Sequence, residues 1–403
     1  MVSLRTIRQA ARRIDGHVIR TPAVYSPVFS AMTGAEVYLK LETLQRSGSF
    51  KVRGAMNRIL ASRRAIGPLG VIAASAGNHA QGVAVAAAMA GIPATIVMPE
   101  WVSIQKQQAT RGYGAEVVLQ GRTLEESLTE ACERAREGRF FIHPYDDPAV
   151  IAGQGTVGLE IVEDLPDIDL VVVPVGGGGL IAGIATAVRA VLPETRVVGV
   201  EAEACPCVQR ALDEGSPVAV RPRETIADGI RVGSVGRHTY PVIEDLVERV
   251  VCVDEEEIAA AILLLLDRKK VLAEGAGATP LAALLAGKTG VRAGERVVLV
   301  ISGGNIDASL IGRLVRRGMI LEGRILRFTV CLPDVPNELA RMLTIIAGLR
   351  GNILHLHHAR GGGELLSSEV EVEVETAGLD HSRRIADALR DHDYRIAIYF
   401  PAL

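Results

Sequence analysis

One lysine, Lys51, sits inside "LQRSGSFKVRGAM" (44–56), behind Ser47-Gly48-Ser49-Phe50 and at the head of a helix-forming run. Lysine is scarce in this chain: six residues among 44 basic ones. An amine so placed can form a Schiff base with a carbonyl cofactor. The other five read as solvated charges: Lys40 on an alternating strand, Lys106 on a polar helix, Lys269 and Lys270 at a helix end, Lys288 in a turn. Taken alone, Lys51 is open to the same reading.

Three loops of small residues bear on the choice. Gly176, Gly177, Gly178 and Gly179 follow the apolar run "VVVPV" and precede a helix. Bare backbone N–H groups there can converge on an anion, with the helix N-terminus adding positive potential. The pattern is neither GxGxxG nor a Walker loop. A tight turn needs one or two glycines, so four favour a phosphate cradle. "ASAGNHAQGVA" (74–84) puts Ser75, Gly77, Asn78 and His79 at a strand-to-helix junction. A carboxylate fits such a junction, and so does plain N-capping by Ser75 or Asn78. "VLVISGGN" ends a third buried run at Ser302-Gly303-Gly304-Asn305. Lone lysine, phosphate loop and carboxylate loop together point to pyridoxal phosphate.

The elements that must position these groups alternate. "EVYLKLE", "GVIAASA", "ATIVMP", "AEVVLQ", "DLVVVPV", "RVVGVEA" and "RVVLVIS" read as strands, separated by helices such as 51–63, 123–137, 180–193 and 254–271. This is the β–α–β rhythm of parallel sheets with both faces covered. After residue 325 the pattern becomes strand, helix, strand, strand, helix, strand in under 80 residues, the ferredoxin-like βαββαβ order. "GMILEGR" (318–324) reads as a linker.

Bulk properties exclude some classes. With 403 residues, 48% hydrophobic and 23% charged, the chain suits two or three globular domains. A net charge of −3 offers no basic excess for nucleic acid or an anionic membrane. Residues 170–188 are free of charge, but Pro174 and the glycine quartet divide them into strand, loop and helix. "MVSLRTIRQAARRI" has no apolar core behind its arginines, so it is no secretory signal. Five cysteines without paired spacing suggest free thiols and a cytoplasmic location.

"SGSFKVRGA", "SAGNHAQGVA", "VGGGGLIAG", "ADGI" (227–230), "EGAGA" (274–278) and "SGGN" occur in this order. The set resembles the pyridoxal-phosphate threonine dehydratases (threonine ammonia-lyases) of the tryptophan-synthase-β fold type, over about residues 5–320. The last 75 or so residues resemble an ACT regulatory domain. The resemblance implies an α/β chain of PLP fold type II, with two open twisted parallel-sheet subdomains. It implies a catalytic domain 1–317 with a small subdomain at about 45–145, a linker 318–325 and an ACT-like domain 326–403. It further implies deamination of L-threonine to 2-oxobutanoate and ammonia, action on L-serine, amino-acid regulation, a place in isoleucine biosynthesis, and a homotetramer or homodimer.

Carried over motif by motif, Lys51 would hold the cofactor and Phe50 would lie against its ring. Asn78 would meet the ring hydroxyl and Ser302 the pyridine nitrogen. Gly176, Gly177, Gly178, Gly179 and the Leu180 amide would hold the phosphate. Ser75, Ala76, Gly77, Asn78 and His79 would surround the substrate carboxylate, with Gly229 and Glu274 lining the rest. Two departures stand out. Ala76 occupies the position where related serine racemases carry a second, reprotonating serine. Cys207 stands where those relatives offer an oxygen to a metal near Glu201, which argues against a divalent site and leaves a weak monovalent or structural site through Glu201 and backbone carbonyls. In the C-terminal domain Asp334, Asn337 and Asn352 fall where ACT folds bind amino acids, and each also reads as an ordinary turn or cap residue. His355 and His357 share a strand face near His358, without a carboxylate or cysteine to complete a metal site. Rival readings are a serine or 3-hydroxyaspartate dehydratase, an amino-acid racemase, and an amino-acid sensor without catalysis. A nucleotide-binding oxidoreductase is disfavoured, because Glu194 follows Pro193 in a turn and does not end a second strand.

Overall fold

The computed structural model describes residues 2–360 and 366–399. Its strands are β1 (Ala23–Tyr25), β2 (Glu36–Leu41), β3 (Val71–Ala74), β4 (Ala94–Met98), β5 (Glu116–Leu119), β6 (Phe140–Phe141), β7 (Leu170–Pro174), β8 (Arg196–Ala202), β9 (Arg249–Val253), β10 (Arg296–Ile301), β11 (Ile325–Pro333), β12 (Asn352–Arg360), β13 (Ser367–Glu375) and β14 (Ile396–Ile398). The chain divides into two compact units, Met1–Ile306 and Asp307–Leu403.

The first unit holds two sheets. The larger runs β1-β2-β10-β7-β8-β9 and the smaller β5-β4-β3-β6. The smaller sheet is parallel throughout. The larger is parallel except at its edge, where β1 pairs antiparallel with β2. The expectation of purely parallel sheets is corrected there: β1 spans three residues, too few for a periodic signal. Strands β7 and β10 are buried on both faces because apolar helices cover them. Two helices of the larger sheet's core, Thr156–Asp164 and Gly179–Val191, pack Val157 and Ile161 with Ile181, Ile184 and Val188. The smaller sheet has its own core of Val71, Ala73, Ile96 and Met98 against Ala80, Val83 and Ala87.

The second unit opens with the helix Ala308–Leu321, which runs through the first part of the segment read as a linker. A four-stranded antiparallel sheet follows, in the order β12-β13-β11-β14. Helices Glu338–Gly348 and Leu379–Asp391 bury Met342, Ile346, Ile385 and Leu389 against Phe328, Val330, Val370 and Val372. The strand-and-helix order is the βαββαβ read from the sequence. Among the described residues, no helix is long and apolar enough to cross a membrane.

Candidate active site

Lys51 opens the helix Lys51–Ala61, with Phe50 as its N-cap in right-handed conformation. No side chain caps this end. The Lys51 Nζ donates to the Pro144 carbonyl at 2.9 Å and lies 5.2 Å from the Phe50 ring centroid. Burial pulls its pKa down to about 8, partly offset by the Glu274 carboxylate. An ammonium loses hydration in this setting, so a larger share of neutral, nucleophilic amine is present near neutral pH than for an exposed lysine.

The loops around it are stitched together through backbone. Phe50 N donates to the Ser302 carbonyl at 3.1 Å, and Gly304 N to the Gly48 carbonyl at 2.9 Å. Glu274 N donates to the Gly303 carbonyl at 3.0 Å. Side chains complete the connection. Asn305 Nδ2 donates to the Ser47 carbonyl at 2.9 Å and to Asn78 Oδ1 at 2.7 Å. Asn78 Nδ2 donates to Glu274 Oε1 at 2.6 Å. Gly229, in the short turn Asp228–Ile230, lies against this pair: a Cβ there would stand 3.3 Å from Glu274 Oε1 and 3.7 Å from Asn78 Nδ2. Burial raises the Glu274 carboxyl to about 7, with nearby Asp228 adding to the rise.

Ser75 follows β3, and its Oγ accepts from Gly77 N at 3.1 Å. Gly77, not Ser75 or Asn78, is the N-cap of the helix Asn78–Ala90, and no side chain caps it. Ala76 packs at the margin of the smaller core. His79 turns inward: its Nε2 lies 2.9 Å from the Ile142 carbonyl, so Nε2 carries the hydrogen. Burial and the nearby lysine pull its pKa down to about 3, and the ring stays neutral.

The glycine quartet follows β7 and opens the helix Gly179–Val191, whose first turn includes Leu180. Gly178 is the N-cap at φ +91°, a left-handed conformation that glycine adopts without strain. A Cβ on Gly177 would stand 2.4 Å from the Tyr145 ring. Tyr145 therefore walls the cradle, and it directly follows the Pro144 whose carbonyl holds Lys51. The cradle is braced from behind by Thr239, whose Oγ1 donates to the Gly177 carbonyl at 2.7 Å. Asp146 fixes that brace by accepting from His238 N at 2.7 Å and Arg237 N at 3.0 Å. The segment 143–148 thus joins lysine and cradle. Its "HPYDDP" turn signal was legible; its task was not.

Ser75, Gly176 and Ser302 all follow the C-terminal ends of parallel strands, where α/β folds place ligands. A desolvated lysine, an uncapped glycine-lined helix start and the buried Asn78 amide suit a phosphorylated carbonyl cofactor. The arrangement defines a two-sheet α/β enzyme built around one amine.

The family comparison agrees. The family model described as "Pyridoxal-phosphate dependent enzyme" matches residues 14–303, and the chain belongs to that family. Pyridoxal phosphate is its cofactor. The L-threonine ammonia-lyase of Geobacter sulfurreducens is 47% identical over 401 residues, covering 99% of this chain and 100% of the relative. That of Thermotoga maritima is 46% identical over 402 residues, with the same coverage. The solved threonine deaminase of T.th. is 43% identical, with a TM-score of 0.71, and covers 76% of this chain and 99% of that one.

Several readings need correction. Lys40 is not solvated: it is fully buried, donating to the Thr21 carbonyl at 2.6 Å and to Glu160 at 2.7 Å. Lys106 pairs with Asp228 at 2.8 Å and Lys288 with Glu257 at 2.7 Å. Strand alternation alone cannot tell a buried face from a wet one when both faces are covered. Arg53, also fully buried, bridges Glu42 and Glu160. Its partners lie 11 and 107 residues away, which no local pattern shows. Glu201 is buried, and its oxygens accept from Val208 N at 2.8 Å and Gln209 N at 2.9 Å. Burial raises it to about 7. Register sets His355 opposite Glu373 and His357 opposite Glu371, yet among the described residues no cluster of His, Cys, Asp and Glu could hold a metal ion. Those acids already pair with Arg316 and Arg327.

Asp334, Asn337 and Asn352 each make a contact or cap of their own. Asp334 pairs with Arg360 at 3.1 Å, Asn337 is the left-handed N-cap of Glu338–Gly348, and Asn352 donates to Glu375 at 3.0 Å.

Proposed function

We propose that this chain deaminates L-threonine to 2-oxobutanoate and ammonia, and acts on L-serine more slowly. The carrying observation is the desolvated amine of Lys51, held at the Pro144 carbonyl with the Asn78–Glu274 pair nearby, whereas the buried amine of Lys40 is paired with Glu160. Full-length relatives with that activity support the reading.

Bound pyridoxal phosphate supplies an aldehyde that captures an amino group and a ring that spreads negative charge from the adjacent carbon. The glycine quartet and the Leu180 amide hold its phosphate, and Phe50 packs against its ring. Asn78 donates toward the ring hydroxyl. Ser302 faces the ring nitrogen; a hydroxyl can share a hydrogen bond there but cannot hold the nitrogen protonated as an acid would. Residues 75–79 surround the substrate carboxylate; Ser75 N and Gly77 N already donate to the Val97 carbonyl and to Ser75 Oγ, which leaves the helix-start N–H groups of Asn78 and His79 to orient it. Lys51 Nζ would take the α-proton of the substrate, and its lowered pKa suits a base near neutral pH. The β-hydroxyl then leaves as water, taking up one proton, and the released enamine tautomerises and is hydrolysed by a water molecule to 2-oxobutanoate and ammonia. Ala76 has no group to reprotonate the opposite face, which favours dehydration over racemisation.

The second unit serves as an ACT regulatory domain, with isoleucine or valine as its effector near Asp334, Asn337 and Asn352. Its βαββαβ order supports this reading. A homotetramer or homodimer in the cytoplasm, working in isoleucine biosynthesis, completes the proposal. The test is steady-state assay on threonine, serine and 3-hydroxyaspartate, with and without isoleucine and valine, for wild type and Lys51→Ala. Threonine turnover that is lost in Lys51→Ala and altered by a branched-chain amino acid supports it. Faster turnover of 3-hydroxyaspartate, or full activity in Lys51→Ala, overturns it.

A further inference from the structure

A chain of amides links the Ser47 carbonyl to a buried carboxylate through Asn305, Asn78 and Glu274. Each link constrains the next. The Ser47 carbonyl can only accept, so the group facing it at 2.9 Å must be the Asn305 nitrogen. That same nitrogen carries a second hydrogen, and it meets Asn78 at 2.7 Å. The atom of Asn78 that faces it must therefore be Oδ1. The Asn78 nitrogen is then turned toward Glu274 at 2.6 Å, with its remaining hydrogen left for the site. Asn305 itself is held closely: a Cβ on Gly48 would stand 2.6 Å from its Oδ1.

We infer that Asn305 is a positioning residue that sets which end of the Asn78 amide faces the cofactor. The inference rests on the proposed placement of Asn78 at the cofactor's ring hydroxyl. With the nitrogen turned inward, Asn78 offers a hydrogen to the ring oxygen and favours its ionised form. With the amide reversed, Oδ1 would face that oxygen and favour the protonated form, which absorbs at shorter wavelength. Reversal would also set Oδ1 against Glu274, which could then bond only as the protonated acid. Asp228, Lys106 and Lys51 are the other charged groups acting on that carboxyl.

The substitution Asn305→Asp turns the donor into an acceptor and drives the reversal. In purified holoenzyme its cofactor absorption should move to shorter wavelength, and its Tm should fall. Adding Glu274→Gln supplies an amide that can donate to the reversed Asn78. The double variant should regain at least half of the lost Tm while its absorption stays shifted. A purely structural role would restore both or neither. An unshifted spectrum in Asn305→Asp, or a double variant no more stable than the single, overturns the inference. If Asn305→Asp does not fold, Asn305→Ala frees the amide and should show both absorption forms together; one unshifted form overturns the inference equally. Asn78→Ala separates the two layers. An unshifted spectrum there sinks the placement of Asn78 at the ring, whereas a shifted one beside an unaltered Asn305→Asp sinks only the role of Asn305.

Discussion

At the scale of single residues, burial moves the site's ionisable groups away from their ordinary pKa values. Lys51 is pulled down to about 8 by burial. Because only the neutral amine captures an aldehyde, cofactor uptake by apoprotein should rise with pH and reach half its maximum near 8, not near 10.5. Stopped-flow absorbance against pH measures this. The folded pKa lies below the ordinary value of 10.5, so the unfolded chain binds the extra proton between the two. The stability penalty is full below about 8 and fades as pH rises toward 10.5. Lys51→Met should accordingly stabilise the apoprotein at pH 7 by up to about 3 kcal/mol, with the gain shrinking as pH rises to 10.5, in urea titrations. Glu274 shows the opposite sign. Its folded pKa of about 7 exceeds 4.5, so its contribution to stability is full below 4.5 and lost as pH rises through 7. Glu274→Gln should flatten the fall in Tm across that window.

At the scale of elements, a buried charge cluster ties the lysine helix to the larger sheet. Arg53, two residues after Lys51, spans Glu42 at the end of β2 and Glu160 on the helix Thr156–Asp164. Lys40 on β2 shares Glu160. Removing one member strands a buried carboxylate, which typically costs about 3–5 kcal/mol. Arg53→Met should show a loss of that size by denaturant unfolding. Arg20→Ala, which breaks a half-exposed pair with Glu163 and Asp164, should cost under about 1 kcal/mol. The cradle loop permits a second test. Gly177→Ala forces a methyl into the Tyr145 ring. Cofactor affinity should fall by tenfold or more by equilibrium dialysis, while Tyr145→Phe leaves it within about threefold, because the wall is a ring face.

At the scale of the whole molecule, the first unit carries the amine site and the second a separately cored antiparallel sheet. If the second unit senses an amino acid, substitutions in its first turn should change regulation and spare chemistry. Asn337→Ala should shift the concentration of isoleucine or valine needed for half-response by tenfold or more, with basal kcat on threonine within about twofold. Paired dose–response and effector-free assays read the two quantities separately.

Much was legible beforehand because it is local. The alternation of apolar runs with helices sets the sheets, and small-residue loops at strand ends mark where a ligand can approach backbone. The scarcity of lysine drew notice to Lys51, which lies desolvated at a helix start, and the glycine quartet does open a helix after a buried strand. What the chain alone could not express depends on partners distant in sequence. Three residues of β1 were too few to read, and the burial of Lys40 and Arg53 follows only from Glu160 meeting them through the fold. Tyr145 and Asp146 gained their tasks only when their turn met the glycine loop and the turn at 236–239. The carboxylates opposite His355 and His357 came from strand register. Sequence determined which chemistry could be assembled, since residue type and spacing are local quantities. Tertiary structure decided which groups are dry, which are paired and which way an amide points, because desolvation and hydrogen bonding arise only when distant segments close on one another.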